Sequence, residues 1–433
     1  MLALFDSFDE ATRQLTRSLH AAGIPFTPVV ITYQGELPDD ALCPFVAYTG
    51  LPRTGRPLFF NEVPVPPWCE IRHGREEHGE ILRDGFLLGR INYEANSFRQ
   101  VESVDWLLPD GAVSHTDLYD RYGSRYATRY CSNGAAYQTV YSGPGEWTIE
   151  VDHATRVIVL RSATRVLAFD SLTQFVSFFI DDQRIPHDSL LINSLSYPLF
   201  VARARATHPN TTLFWQEPMP GAVPENMALE LELPTALRRI VFFDEALRAK
   251  VAAHHPNTAV ELAYLSHLDQ FAEKRDYDPR RAFILTASDE IPGLVELLEA
   301  FPDVTISVAA MTLMSAKLHD LAARYPNLVL TPTINHTGIR TELEQASVYL
   351  DINAGPEVLD VVRAAYHLDL VVLALGAQAK APDFSLTSAT VDELKARVDA
   401  VTSTRSARSR ALDELHTQHG PLSTAEDWRP LFL

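Results

Sequence analysis

The sequence predicts an α/β protein: two Rossmann-like, doubly wound domains facing a cleft, with an antiparallel β-meander domain inserted in the first. Three observations predict it. Strand and helix patterns alternate at the start of the chain and, most cleanly, through roughly its last 150 residues. Between about Pro52 and Ile180 the texture changes to dense Gly and Pro punctuation with short β-branched and aromatic runs. The chain has 433 residues, 46% of them hydrophobic and 21% charged, enough for the cores of two or three domains.

Taken in order, residues 1–5 read as a strand. Ser7 with Glu10 forms a capping-box signature, and Phe8, Ala11, Leu15, Leu19 and Ala22 share one helical stripe that Gly23 is placed to end. Residues 29–33 are the second strand. The turn Phe5-Asp6-Ser7-Phe8 between them lacks the glycine-rich dinucleotide fingerprint. In the meander, strands are expected at 58–60, 86–92, 103–107, 136–141, 147–151, 156–161 and 165–169, with turns at Asp110-Gly111 and Asn133-Gly134. A helix at 172–180 follows. Strands 190–192, 211–215 and 239–243 alternate with helices 197–206 and 245–254, so the first α/β domain resumes after the meander. A charged linker, 273–281, leads into paired strands and helices: 282–287 with 291–301, 305–310 with 314–325, 328–330 with 341–346, 348–352 with 357–367, then strand 370–375. The expected boundaries are 1–51 and 181–255 for the first Rossmann-like domain, 52–180 for the inserted β-rich domain, and 256–433 for the second with C-terminal helices. A ligand would lie beyond the carboxyl ends of the strands.

Charge narrows the function. With 37 basic against 56 acidic residues, the formal net charge is -19 and the pI near 5.2. That argues against nucleic-acid binding on a basic face and against a polybasic membrane anchor. Three widely spaced cysteines, Cys43, Cys69 and Cys131, form no disulfide framework and no zinc motif, as expected in a reducing compartment. No secretory signal and no run of about 20 apolar residues is visible, so a cytoplasmic protein without a transmembrane segment is expected.

Two α/β domains with an inserted meander suggest the two-Rossmann, GT-B-like architecture of glycosyltransferases. A nucleotide-sugar donor in that architecture develops negative charge on its diphosphate, which cations or helix N-termini must meet. The loop after the first strand of the second domain reads Thr286-Ala287-Ser288-Asp289-Glu290, two carboxylates where cations are wanted. Each like-charge contact at about 4 Å would cost roughly 4 kcal/mol there. Retaining members of the architecture commonly carry two glutamates eight positions apart. The turn Asn353-Ala354-Gly355-Pro356-Glu357 supplies one of them, with Pro356 suited to a helix start, but Ala365 stands where the second is due. A purely structural role for Glu357, complementing a helix dipole, competes with a catalytic one. Arg340 and His336 are the basic groups expected near the cleft. The DxD of Asp276-Tyr277-Asp278 falls in the charged linker, and His254-His255 closes a helix. No metal-ligand cluster and no G-x-S-x-G elbow is evident. No cofactor is called for. Two aromatic segments read either as ordinary packing or as interface: Tyr119, Tyr122, Tyr126 and Tyr130 interleaved with Arg121, Arg125 and Arg129, and Trp68 after Pro66-Pro67, an edge aromatic or an interface anchor.

In this order along one chain, several segments resemble the accessory Sec system glycosylation chaperones: Leu2 to Asp6 with its helix, Pro57 to Val63, Asp120-Arg121-Tyr122-Gly123, Asn193-Ser194-Leu195-Ser196, Leu213 to Pro218, Pro224 to Met227, Ile284 to Asp289, Met314 to Leu318, and Tyr349 to Asn353. Cys69 and Arg72, around Trp68, depart from that pattern. The resemblance covers nearly the whole length. It implies a non-catalytic subunit that stabilises a homologous O-GlcNAc transferase, in a 2:2 heterotetramer, and binds the unfolded Ser/Thr-rich adhesin polypeptide. Trp68, Tyr119, Tyr122, Arg125, Tyr126, Tyr130, Trp215 and Glu217 are the expected contacts to partner or acceptor. Ser288, Asp289, His336, Arg340, Asn353, Gly355 and Glu357 would line a vestigial donor site. The expected location is the cytoplasm, with a peripheral place on the inner membrane face as a variant. Two alternatives stand beside this reading: an active transferase with a UDP-sugar donor, and a free-standing peptide-binding chaperone.

Overall fold

A computed structural model describes residues 1–73, 78–94, 97, 99–268 and 277–432. They form two compact units, Met1–His267 with Ser423–Leu433, and Leu268–Leu422.

The first unit opens with β1 (Leu2–Phe5), α1 (Glu10–Ala21), β2 (Thr27–Val30) and α2 (Pro44–Thr49). The cap of α1 is Asp9, whose carboxylate accepts from the Thr12 N–H, so the expected Ser7–Glu10 box does not form. Asp9 wins because it directly precedes the first helical residue.

The meander follows as ten antiparallel strands in sequence order: β3 (Cys69–Arg72), β4 (His78–Arg83), β5 (Phe86–Tyr93), β6 (Val101–Leu107), β7 (Val113–Tyr119), β8 (Arg125–Ser132), β9 (Ala135–Tyr141), β10 (Thr148–Asp152), β11 (Ile158–Arg161) and β12 (Val166–Phe169). The strand expected at 58–60 is a single bridge from Phe59 to Gln100, followed by a 3-10 turn. It nevertheless packs: Leu58, Phe60, Val63 and Val65 cover Ile81, Ile91 and Val104 on one face of the sheet.

Helix α3 (Leu172–Asp182), capped by Ser171, returns the chain to the α/β domain. Then come β13 (Leu190–Ile192), α4 (Tyr197–Arg205), β14 (Thr211–Trp215), α5 (Glu225–Glu232), β15 (Leu237–Phe242), α6 (Glu245–His254) and β16 (Glu261–Tyr264). The six parallel strands lie in the order β16-β15-β14-β13-β1-β2. The apolar runs of β1, β13 and β14 are buried on both faces, as a parallel sheet requires, while the edge strand β16 is not.

The second unit is a six-stranded parallel sheet in the order β19-β18-β17-β20-β21-β22, the doubly wound 3-2-1-4-5-6 arrangement. Its elements are β17 (Asp278–Leu285), α7 (Leu294–Ala300), β18 (Thr305–Ala309), α8 (Ala316–Arg324), β19 (Leu328–Thr331), α9 (His336–Gln345), β20 (Ala346–Asp351), α10 (Val361–His367), β21 (Val371–Leu375), β22 (Leu386–Ser388), α11 (Val391–Ser403) and α12 (Arg405–His416). Helix α10 begins four residues later than expected, at Val361, after two residues with positive φ, Leu359 and Asp360. Pro356 therefore starts no helix. Of the DxD, Asp278 opens β17 and Asp276 lies outside the described residues.

The last segment, α13 (Ala425–Trp428), belongs to the first unit, and so does β16, whereas the sequence grouped 256–433 together. Trp428 is fully buried against Phe214 and Phe243, and its indole N–H donates to the Ser266 carbonyl at 3.1 Å.

Candidate functional site

In a doubly wound sheet the ligand crevice opens where strand order reverses, here between β17 and β20. Loop 286–290 leaves β17 and loop 352–357 leaves β20, and the two touch. The Ala354 N–H donates to the Glu290 carbonyl at 2.8 Å. A Cβ on Gly355 would stand 3.0 Å from the Ser288 Cβ, so glycine permits the approach.

Most polar groups at this point are engaged within the chain, although the buried Asn353 Oδ1 has no hydrogen-bond partner among the described residues. Asn353 is buried and donates to the Leu285 carbonyl. Glu357 is half-buried and accepts from the Val362 N–H at 3.1 Å, serving as a side-chain cap for α10; burial pushes its carboxyl above the usual range. Asp351, fully buried at the end of β20, is likewise raised by burial, while the Lys380 N–H donates to it at 2.5 Å.

Lys380 escaped the sequence reading, which had Arg340 and His336 as the basic groups here. Its ammonium donates to the carbonyls of Asn353 (2.6 Å) and Gln378 (2.5 Å) and lies 3.8 Å from Asp351. Lys317 was missed as well: it pairs with Glu290 at 2.6 Å, so the acidic turn is partly neutralised. These are two of only five lysines in the chain. Both lie far in sequence from the loops they serve, and only the sheet topology joins them.

His336 and Arg340 sit elsewhere. They belong to α9, which follows β19, and β19 is separated from β20 by two strands. Arg340 is exposed and pairs with Glu344 one turn along its own helix at 2.8 Å. Ser288 and Asp289 help line an open cavity of about 320 Å³ at the ends of β17 and β18, with Thr312, Met314, Ser315 and Leu318 on its other side. Among the described residues no group of three or more His, Cys, Asp or Glu could hold a metal ion.

At the corresponding point of the first sheet, between β1 and β13, the Asp6 N–H donates to the Asn193 side chain, which in turn donates to Thr12. Burial, with Glu217 and Asp9 nearby, raises the Asp6 carboxyl. Glu217 is exposed beside it; Trp215 is a core residue, 3% exposed.

On the meander the interleaved aromatics divide by burial. Tyr119 and Tyr126 are interior, Tyr126 packing edge-on against Tyr33 at 4.8 Å, so neither presents a surface. Tyr122 is half-buried under the Arg121 guanidinium. Arg125 is exposed and reaches the buried Asp117 at 3.4 Å. Tyr130 belongs to an aromatic row across four strands, Trp106–His115–Tyr130–Tyr137, with centroid spacings of 6.1, 6.0 and 6.3 Å. Trp106, His115 and Tyr137 carry no sequence signal of their own, because cross-strand pairing alone aligns them. Trp68 is 90% exposed beside the edge strand β3 and holds a left-handed φ of 67°.

The comparisons with known proteins agree along the whole chain. Four family models match: the GtfB N-terminal domain over residues 2–48, the GtfB middle domain over 69–170, the GtfB third domain over 172–251 and the GftB/GlyA-F C-terminal domain over 282–418. The chain is 34% identical over 391 residues to the UDP-N-acetylglucosamine–peptide N-acetylglucosaminyltransferase stabilizing protein GtfB of Streptococcus pneumoniae, covering 86% of this chain and 84% of that protein. It superposes on a chain of a crystal structure of a GtfA/B complex bound to UDP and GlcNAc with a TM-score of 0.89 at 30% identity, covering 100% of this chain and 99% of the other. The pneumococcal O-GlcNAc transferase GtfA shares the fold, with a TM-score of 0.57 at 10% identity, over 99% of this chain and 98% of that one. The chain therefore belongs to the GtfB family, the stabilizing proteins of UDP-N-acetylglucosamine–peptide N-acetylglucosaminyltransferases.

Proposed function

We propose that the chain is the non-catalytic subunit of an O-GlcNAc transferase complex, stabilising a GtfA-type catalytic subunit of the same fold and binding the Ser/Thr-rich adhesin polypeptide that the complex modifies. The observation that carries the non-catalytic half is the state of the β17/β20 crevice. A transferase needs a carboxylate and cations free to meet sugar and diphosphate; here Glu357 caps α10, Lys380 is held by two carbonyls, and Lys317 is tied to Glu290. Acceptor binding is supported by chemistry rather than by a bound ligand. Exposed Glu217 beside Asp6 accepts hydrogen bonds from hydroxyls and peptide N–H groups, which a Ser/Thr-rich chain supplies in number. The sheet surface around Trp68, Arg125 and Tyr130 supplies aromatic and guanidinium anchors for the partner.

A 2:2 assembly in the cytoplasm, with contact to the inner membrane face, completes the proposal. Among the described residues no helix is long and apolar enough to cross a membrane. The test is co-purification with the GtfA-type subunit, followed by light scattering for stoichiometry and calorimetry with UDP-GlcNAc. The isolated chain should bind no UDP-GlcNAc at micromolar concentration, and Glu357→Gln should leave both association and transfer by the complex unchanged. Sugar transfer by the chain alone, abolished by Glu357→Gln, would instead establish the active-transferase reading. A stable monomer or homodimer that ignores the transferase would establish the free-standing chaperone.

A further inference from the structure

Among the described residues, one rim of the meander bonds to the α/β domain. The glycines of the far-rim turns, Gly85, Gly111 and Gly134, have open space where a Cβ would stand. At the near rim two turns make contact with the α/β domain. In the β9–β10 turn, the Gly145 N–H donates to the Thr49 carbonyl at 2.7 Å. In the β7–β8 turn, Asp120-Arg121-Tyr122-Gly123 is gripped from two sides. The Arg121 N–H donates to the Gly35 carbonyl at 3.1 Å, and a Cβ on Gly123 would lie 2.7 Å from the Arg56 carbonyl oxygen. At its centre sits Asp120, 2% exposed, whose carboxylate accepts from the Tyr33 hydroxyl (3.3 Å) and from the Tyr122 and Ser124 N–H groups (3.0 and 2.8 Å). Arg121 continues outward to Glu36, which Arg13 of α1 holds at 2.6 Å.

We propose that Asp120, through Tyr33, is a positioning residue: it latches the middle of the ten-stranded sheet to the α/β domain and so fixes the angle at which the sheet meets the catalytic subunit. This rests on the reading that the sheet contacts the partner. The physical reason lies in placement. A buried carboxylate that bridges its own turn and a tyrosine of another domain couples the two with little freedom to tilt. The chain passes between the α/β domain and the sheet twice, near residues 51–58 and 169–171, so without near-rim anchors the sheet would pivot about these two connections. A pivoting sheet must be ordered on association, and that ordering weakens binding.

The geometry offers a reversible test. A Cβ at Gly35 would lie 3.8 Å from the Asp120 Cβ, the mean separation across a disulfide. The Gly35→Cys, Asp120→Cys variant, with Cys69 and Cys131 replaced by serine, is compared oxidised and reduced for affinity to the GtfA-type subunit, alongside Tyr33→Phe. Affinity should be near that of the unmodified chain when oxidised and roughly tenfold weaker when reduced, with Tyr33→Phe also weaker and all forms keeping one cooperative melt. Equal affinity in both redox states, or weak binding that the crosslink does not restore, overturns the latch. Because a strained Gly35→Cys could unfold the chain, Tyr33→Phe serves as the independent arm: folded and binding like the parent, it overturns the latch by itself. The underlying reading fails separately, if Trp68→Ala with Tyr130→Ala leaves partner affinity untouched.

Discussion

Ala365 explains at the level of one residue why this crevice does no chemistry. It is fully buried in the core of the second unit, beside Val361, Val362 and Leu370. Because α10 starts at Val361 rather than beside Glu357, position 365 falls on the inward face of the helix. A glutamate there would enter an apolar core without a partner. Ala365→Glu should therefore cost about 3 kcal/mol or more and confer no transfer activity, checked by urea denaturation and a transfer assay. Cys43 makes a second residue-scale case. It is buried, which pushes its thiol up to about 12. Native-state thiol titration should count Cys69 and Cys131 and leave Cys43 unmodified until the chain unfolds.

Among elements, α5 shows electrostatics fixing a helix in place. Glu230 is fully buried, and burial opposes its ionisation. The N–H groups of Leu237 and Ala236, the Thr235 hydroxyl and the Arg203 guanidinium outweigh that and hold its carboxyl at about 2. A folded-state value below the unfolded one stabilises at high pH: the contribution is complete above about 4.5 and disappears as pH falls toward 2. Glu230→Gln should cost about 2 kcal/mol at neutral pH, with the gap to the parent closing across that acid window in thermal melts. The C-terminal α13 depends on packing instead. Trp428→Ala should remove about 3–5 kcal/mol, read as a lower melting temperature of the first unit.

The same scale shows what pattern can and cannot reveal. Strands β13 and β14 and helix α6 fall where the sequence placed them, because apolar runs and an aspartate cap at Asp244 are local signals. Strands β3, β4, β7 and β8 gave no clear strand signal, since charged and polar residues such as Arg125, Arg129 and Asp117 replace simple alternation. Those residues pair across the sheet rather than with chain neighbours.

For the whole molecule, the consequential property is that the chain keeps the transferase fold while Glu357, Lys380 and Lys317 at its β17/β20 crevice bond within the chain. Lys380→Ala should destabilise the second unit by about 1–2 kcal/mol, because the Asn353 and Gln378 carbonyls and the 3.8 Å ion pair lose the ammonium while the backbone N–H bond to the buried Asp351 stays, and partner binding should remain intact. Differential scanning calorimetry of the free chain and of the complex distinguishes the two effects.

Periodicity and turn residues were sufficient, read from the chain alone, to define two α/β domains with an inserted meander, because these signals are written in neighbouring residues. The tertiary structure alone decided which aromatics are surface and which core, that Lys317 and Lys380 sit at the acidic loops, and that Asp120 anchors the sheet to Tyr33. Those facts join residues dozens to hundreds of positions apart, and no local propensity encodes a contact that only strand order and burial create.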